Sequence, residues 1–138
     1  GARYTFARAY FDGGAFSGNW LPYAPAATLV GTIDVEHGAF GAQAAWTYVG
    51  PQFTDEQNTT NVDATGRVGK LQSYQALDLA LRYALARSGL TFKLAVKDAM
   101  NQTFVYALRP DGIRVGGFRQ ILLGVRWDWD ATPPPPPQ

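Results

Sequence analysis

Strict alternation of apolar and polar residues near the end of the chain constrains the fold more than any other feature. The segment 121–129 places its side chains on two opposite faces, as the strand period of two requires. One face carries Ile121, Leu123, Val125, Trp127 and Trp129, and the other carries Leu122, Gly124, Arg126 and Asp128. Tryptophan is favoured where hydrocarbon meets water, so an apolar face that ends in two tryptophans predicts a strand of an outer-membrane β-barrel.

The same alternation recurs upstream in two pairs of neighbouring segments. Residues 77–85 and 90–97 alternate on either side of a short turn, Arg87-Ser88-Gly89. Residues 29–48 alternate in the same way on either side of His37-Gly38. A tight turn between two alternating segments is typical of a β-hairpin, so each pair predicts two antiparallel strands.

An opening segment adds one more strand, because Tyr4, Phe6 and Tyr10 fall on one face. Arg8 interrupts that face, either by reaching towards lipid headgroups or because the strand bends there. The sequence therefore predicts an all-β chain that forms an antiparallel up-and-down meander of about six strands. The expected strands lie at approximately 2–11, 26–36, 39–49, 73–86, 90–98 and 119–129.

Charge decides which face of these strands meets lipid. A Lys or Arg side chain near the bilayer midplane costs about 2 to 4 kcal/mol on the lipid face of a barrel. We therefore expect the charged residues of the alternating segments to face the lumen. They are Asp34, Glu36, Asp78, Arg82, Lys93, Lys97 and Arg126. The alternative is a soluble β-sandwich, in which a second sheet covers the apolar face.

Six aromatic side chains fall near the ends of the expected strands. They are Tyr10, Trp46 and Tyr48 towards the outer rim, and Tyr83, Trp127 and Trp129 towards the periplasm. Such positions predict the aromatic girdles that flank the apolar band of a membrane barrel. Stacking on a ligand is the alternative interpretation of the same side chains.

The connections between the expected strands alternate between tight turns and long loops. The long loops, 12–25, 51–72 and 98–118, all fall at one end of the meander. Bacterial barrels have short periplasmic turns and long extracellular loops, so this asymmetry predicts that the long loops are extracellular. The final strand would then run inward and end in the periplasm.

Several motifs follow one another in an order that is typical of one family of barrels. Residues 18–25 (GNWLPYAP) resemble the loop before a barrel strand, and 48–55 (YVGPQFTD) resemble the exit from the next strand. Residues 94–104 resemble the penultimate strand and its exit, although Asp98-Ala99-Met100 replaces the usual Asn-Leu-Phe run. The pattern Gly124-x-x-Trp127-x-Trp129 is similar to a terminal signal for barrel assembly. Together these motifs resemble the carboxy-terminal barrel of TonB-dependent outer-membrane receptors, especially the ferric-siderophore branch.

The resemblance implies that residues 1–130 form the carboxy-terminal part of a larger transmembrane β-barrel of about 22 strands in the bacterial outer membrane. Roughly six strands cannot close, because the smallest membrane barrels have about eight and open strand edges are not tolerated in lipid. We therefore expect the remaining strands and an amino-terminal plug on the same gene product or on a companion chain. The proline-rich tail, 131–138, departs from the family pattern and cannot extend a sheet.

The resemblance also implies a function for the complete protein. It would bind a ferric siderophore or a similar chelate outside the cell, and TonB would energise uptake. This chain would supply wall and extracellular loops, with iron only as chelated cargo and with no cofactor or metal site of its own. The alternative is a structural outer-membrane subunit of a larger envelope complex, derived from such a receptor and no longer transporting.

Cationic side chains in the long loops are candidate contacts for an anionic chelate, because partly screened charges attract it. These cations are Arg67, Lys70, Arg109 and Arg114, and the further candidates are Asn19, Trp20 and Tyr23. Solvation of the loops is the alternative explanation of the same charges.

Composition excludes several other classes of function. His37 is the single histidine and the chain has no cysteine, so a histidine-centred triad, a multi-histidine metal site and thiol chemistry are all excluded within it. A formal net charge of +1 gives no basic patch for nucleic acid. We expect no enzymatic activity.

Overall fold

A computed structural model describes residues 1–85, 88–109 and 112–129 of the chain. Within these ranges the strands are β1 (Ala2–Phe6), β2 (Ala27–His37), β3 (Phe40–Val49), β4 (Gln52–Phe53), β5 (Lys70–Leu71), β6 (Tyr74–Leu85), β7 (Leu90–Lys97), β8 (Val105–Arg109), β9 (Gly112–Val115) and β10 (Gln120–Trp127). A short 3-10 turn spans Gly14–Phe16. No helix in the described ranges is long and apolar enough to cross a bilayer, a finding that concerns helices alone.

Six of the strands form one antiparallel sheet in the order β1-β2-β3-β6-β7-β10. Each strand pairs with the next of the six along the chain, so the sheet is an up-and-down meander. The predicted all-β meander of about six strands is therefore confirmed. Strands β4 and β5 form a small sheet within the second long connection, and β8 and β9 form another within the third.

The register separates the sheet into two chemically distinct faces. One row across five strands is apolar and consists of Val35, Ala42, Leu81, Leu94 and Leu123. The adjacent row consists of Glu36, Gly41, Arg82, Lys93 and Gly124. Because neighbouring residues on a strand point to opposite sides, these rows lie on what we call the apolar face and the polar face.

The apolar face is uncovered. Leu123 is 82% exposed and Trp129 is 80% exposed, although both side chains are large and apolar. Strands β1 and β10 form the two edges of the sheet. All of the residues in both edge strands are exposed, so their free sides and the apolar face are available to other groups.

Buried apolar side chains lie outside the sheet, in the long connections. Among the described residues, the buried apolar side chains are those of Leu71 in β5 and of Ala107 and Leu108 in β8. We call the three long connections, residues 7–26, 50–73 and 98–119 apart from 110–111, the loop cap. The loop cap was predicted as loops, and its two small sheets were not predicted.

The first strand is shorter than the sequence predicts, since β1 ends at Phe6 and the expected strand ran to residue 11. Beyond it the chain pairs with itself: Leu21 N donates to the Ala9 carbonyl at 2.9 Å, and Tyr10 forms an isolated bridge with Trp20. The Arg8 guanidinium lies 5.5 Å from the centre of the Phe6 ring. This local pairing replaces continuation of the strand. The predicted turn residue Arg87, residue 86 and the tail 131–138 lie outside the described residues.

Candidate functional site in the loop cap and on the polar face

Tyr23 connects all three connections of the loop cap. Its hydroxyl donates to the Leu108 carbonyl in the third connection. Its backbone N–H donates to the Phe53 carbonyl in the second at 2.8 Å. The Arg109 guanidinium lies 5.1 Å from the centre of the Tyr23 ring. Tyr23 therefore holds residues distant in sequence together, and it keeps a left-handed backbone with φ of 58° in doing so.

Two of the four cations predicted to meet a ligand lie over aromatic rings. The Lys70 ammonium is 5.5 Å from the centre of the Phe53 ring, while Arg109 covers Tyr23. A cation over a ring face is stabilised by about 0.5 to 1 kcal/mol at an exposed site. The structure thus places Lys70 over Phe53 and Arg109 over Tyr23, and gives both cations a role in packing.

Asn19 and Trp20 gather instead around Asn58, a residue that sequence reasoning missed. The Trp20 N–H donates to the Asn58 side-chain oxygen at 2.6 Å, and the Asn58 side-chain amide donates to the Trp20 carbonyl at 2.9 Å. The Asn19 amide donates to the Glu56 carbonyl at 2.8 Å. Asn58 has φ of 55°, a conformation in which asparagine is enriched, but a single asparagine in a polar loop carries no signal that would have identified it.

Asp63 organises the turn that carries Arg67. Its carboxylate accepts hydrogen bonds from the Thr65 hydroxyl and from the N–H groups of Arg67 (2.8 Å) and Val68 (3.2 Å). The hydrogen bond from Thr65 is the largest cause of a pKa lowered from 3.8 to about 2, and the amides of Val68 and Arg67 add to it. Arg67 itself is exposed beside this turn, and Arg114 is exposed on β9.

A cavity of about 360 Å³ lies between the second and third connections. Its lining includes Val62, Leu71, Phe104, Ile113 and Lys70, so it is mostly apolar with a cation at one side. The Phe104 ring stacks on Tyr74 at the start of β6, with ring centres 4.1 Å apart and planes 2° from parallel. This stack attaches the third connection to the top of the sheet.

The predicted lumenal residues share the polar face, and most of them are paired. Arg82 donates to Glu36 at 2.9 Å and Lys97 donates to Asp78 at 2.6 Å. Asp34 accepts a hydrogen bond from Gln43 at 2.6 Å, and Arg126 pairs with Asp128 at 2.8 Å. Lys93 is the exception, since it forms no ion pair or hydrogen bond within the described part of the chain.

The predicted girdle residues form two pairs, a single tyrosine on the sheet and one outlier. Trp46 and Tyr48 stack at 6.4 Å on β3, and the Trp46 indole donates to the Gln75 side chain at 3.2 Å. Trp127 and Trp129 meet edge to face at 5.7 Å at the other end of the sheet. Tyr83 is exposed on β6. Tyr10 lies outside the sheet, in the bridge with Trp20, so it is not on a strand of the meander.

Among the described residues, no group of three or more acidic, histidine or cysteine side chains could hold a metal ion. The sequence matches no protein-family model and no curated protein. The structure does resemble solved proteins. It matches the ferric citrate transporter FecA, solved in an unliganded form, with a TM-score of 0.80 at 21% identity, covering 88% of this chain and 19% of that chain.

Two further solved structures show the same likeness. The ferric yersiniabactin uptake receptor FyuA of Yersinia pestis gives a TM-score of 0.68 at 18% identity, covering 93% of this chain and 20% of that one. The ferric-catecholate import receptor Fiu of E. coli K12, in its closed form, gives 0.62 at 22% identity, covering 87% and 16%. This chain thus spans between 16% and 20% of the length of these proteins. The likeness confirms the predicted fold, an antiparallel meander that matches part of the barrel in these solved structures.

Proposed function

We propose that this chain forms part of the wall and the extracellular loops of a TonB-dependent receptor in the bacterial outer membrane, which takes up a ferric siderophore or a similar iron chelate. The observation that carries the proposal is the two-faced sheet, whose uncovered apolar face suits lipid and whose polar face suits a lumen. Its likeness to three proteins named for ferric citrate, ferric catecholate and ferric yersiniabactin supports the choice of cargo.

Electrostatics give the loop cap its part in this function. Ferric chelates of this kind are commonly anionic, and exposed cations attract anions over about a Debye length, roughly 8 Å at physiological ionic strength. Arg67 and Arg114 are exposed on the second and third connections, where they would meet an arriving chelate first. Iron would enter and leave as cargo of the chelate, and TonB would act through parts of the receptor outside residues 1–138.

A structural outer-membrane subunit, derived from such a receptor and no longer transporting, is the second candidate. The observation that favours it is the engagement of Lys70 and Arg109 with Phe53 and Tyr23, because cations that pack on rings inside the cap contribute to folding without any ligand. A subunit of this kind would still present the apolar face of its sheet to lipid, but it would no longer bind a chelate.

Binding of ferric citrate and of a ferric catecholate to the native assembly, extracted from membranes in mild detergent, tests the proposal. Retention of radioactive iron on the assembly is the readout. We expect Arg67→Gln to weaken binding by roughly two- to fivefold, the effect of about one surface charge. Arg126→Gln, which removes a cation at the opposite end of the sheet, is the matched control and should bind normally. Absence of binding by either chelate would support the structural subunit.

A further inference from the structure

The cavity between the second and third connections lies between the two small sheets of the loop cap. Leu71 of β5 and Leu108 of β8 line it, and these side chains are only 3% and 2% exposed. Ile113 of β9 and Val62 of the second connection add to its apolar wall. Its volume of about 360 Å³ falls in the range of small-molecule sites, roughly 300 to 1,000 Å³, which are lined mainly by apolar and aromatic side chains.

Phe104 forms an aromatic wall of this cavity, and its position is fixed from outside the cavity. Its ring stacks on Tyr74, with ring centres 4.1 Å apart, and its carbonyl accepts the Gly116 N–H at 2.6 Å. Only glycine fits at position 116, since a Cβ atom there would collide with the Phe104 ring. Movement of the ring into the cavity would break the stack. An empty apolar cavity is destabilising, because its lining lacks packing contacts, so an apolar group that fills this preformed space would be favoured.

Lys70 carries the only charge among the described residues that line the cavity. Its ammonium lies 5.5 Å from the centre of the Phe53 ring and forms no ion pair with any residue of the described ranges. An ammonium has three N–H donors, so contact with a ring face leaves donors for an anion. Ser73 and Thr103 add hydroxyl groups to the same lining. The cavity thus combines an apolar wall with one cation and neutral hydrogen-bond donors.

We propose that this cavity binds a small organic acid with one carboxylate, whose apolar ring or chain packs against Phe104 and Leu71 and whose carboxylate meets the Lys70 ammonium. A second carboxylate would be buried against apolar side chains without a partner, which is costly. Citrate, with three carboxylates and no apolar part, therefore does not fit. The ligand would contact both connections and stabilise the loop cap, as any ligand of the folded state does. This inference goes beyond the proposed function, because the ligand is distinct from the iron chelate.

Fluorine NMR tests the proposal on the native assembly in lipid nanodiscs, with trifluoromethylbenzoate as the probe and empty nanodiscs as the blank. We expect saturable broadening of the probe signal, which benzoate or octanoate reverses and citrate at the same concentration does not. Lys70→Gln should weaken probe binding by about tenfold, the effect of one lost charge-assisted hydrogen bond. Lys70→Arg, which keeps the charge, should retain most of the binding. Arg126→Gln removes a cation at the opposite end of the sheet and is the matched control.

The neutral amide of the probe tests the same charge on the unchanged protein and should bind about tenfold more weakly than the acid. Three results would overturn the proposal. They are the absence of saturable broadening, equal binding of the acid and its amide, and displacement of the probe by citrate as effectively as by benzoate. Chelate binding is measured on the same preparation. Chelate binding without probe binding would reject the cavity ligand alone, and probe binding without chelate binding would reject chelate uptake alone.

Discussion

The six-stranded sheet and the loop cap differ in where their apolar side chains go. On the sheet, Val35, Leu81 and Leu123 are exposed on the apolar face. In the loop cap, Leu71, Ala107 and Leu108 are buried against other parts of the cap. The sheet therefore depends on its surroundings to cover apolar surface, whereas the cap has a small core of its own. The proposed position, a barrel wall in lipid with folded external loops, would account for both patterns.

Truncation of the cap core should have the largest effect, and it should be local. Leu108 is 2% exposed, so Leu108→Ala should destabilise the cap by about 2 to 5 kcal/mol through lost burial and the cavity left behind. Hydrogen exchange of the β5 and β8 amides would rise while exchange in β3 and β6 stays unchanged. Leu123→Ala, the same truncation on the apolar face, should leave exchange in the cap as it was; a matching rise there would mean that the two regions are not separate.

A charge on the apolar face should have the next largest effect. Ala44 and Gln43 are neighbours on β3 that point to opposite faces. Ala44→Arg would place a cation against lipid. The free energy of unfolding, measured in lipid vesicles, should fall by about 2 to 4 kcal/mol. Gln43→Arg, on the polar face beside Asp34, is the control and should be tolerated. Equal effects of the two substitutions in urea titrations would contradict the assignment of the faces.

Asp98 lies at the junction between the sheet and the loop cap, and we expect removal of its charge to stabilise the fold. Asp98 is 8% exposed, and neither of its carboxylate oxygens has a hydrogen-bond partner among the residues that the structure describes. Asp98→Asn should therefore raise the free energy of unfolding by about 1 to 3 kcal/mol, and asparagine tolerates the φ of 47° found there. Asp78→Asn should act in the opposite direction, because Asp78 pairs with Lys97 and accepts the Asp98 N–H. Urea titration measures the unfolding midpoint of each variant. A loss of stability in both variants would count against the unpaired state of Asp98.

A pH effect confined to the cap should be the smallest. The pKa of Asp63 lies at about 2 in the folded chain and 3.8 otherwise, chiefly because of the hydrogen bond from Thr65. Its ionised form stabilises the turn fully above about pH 4, and that stabilisation is lost as pH falls through about 2. The chemical shift of the Asp63 carboxyl carbon should report a midpoint near that value. Thr65→Val should move the midpoint upward, and an unmoved midpoint would assign the shift to another cause.

The sheet and its faces could be predicted because each strand carries its own period of two, as in the alternation of Leu79, Leu81 and Tyr83 on β6. The end of β1 could not be predicted, because it depends on the pairing of Tyr10 with Trp20 rather than on local alternation. The arrangement of the loop cap could not be predicted from the sequence either. Tyr23 and Leu108 are 85 residues apart, and neither residue type indicates that partner.

Accessibility along β6 tests the central claim most directly, namely that the two faces of one sheet meet lipid and an aqueous lumen. The chain has no cysteine, so single cysteines introduced at positions 76 to 83 of the native assembly in lipid can carry a nitroxide without background. We predict that collisions with oxygen peak at 77, 79, 81 and 83, and that collisions with a water-soluble nickel chelate peak at 76, 78, 80 and 82. Equal access of the nickel chelate to both sets would contradict the account.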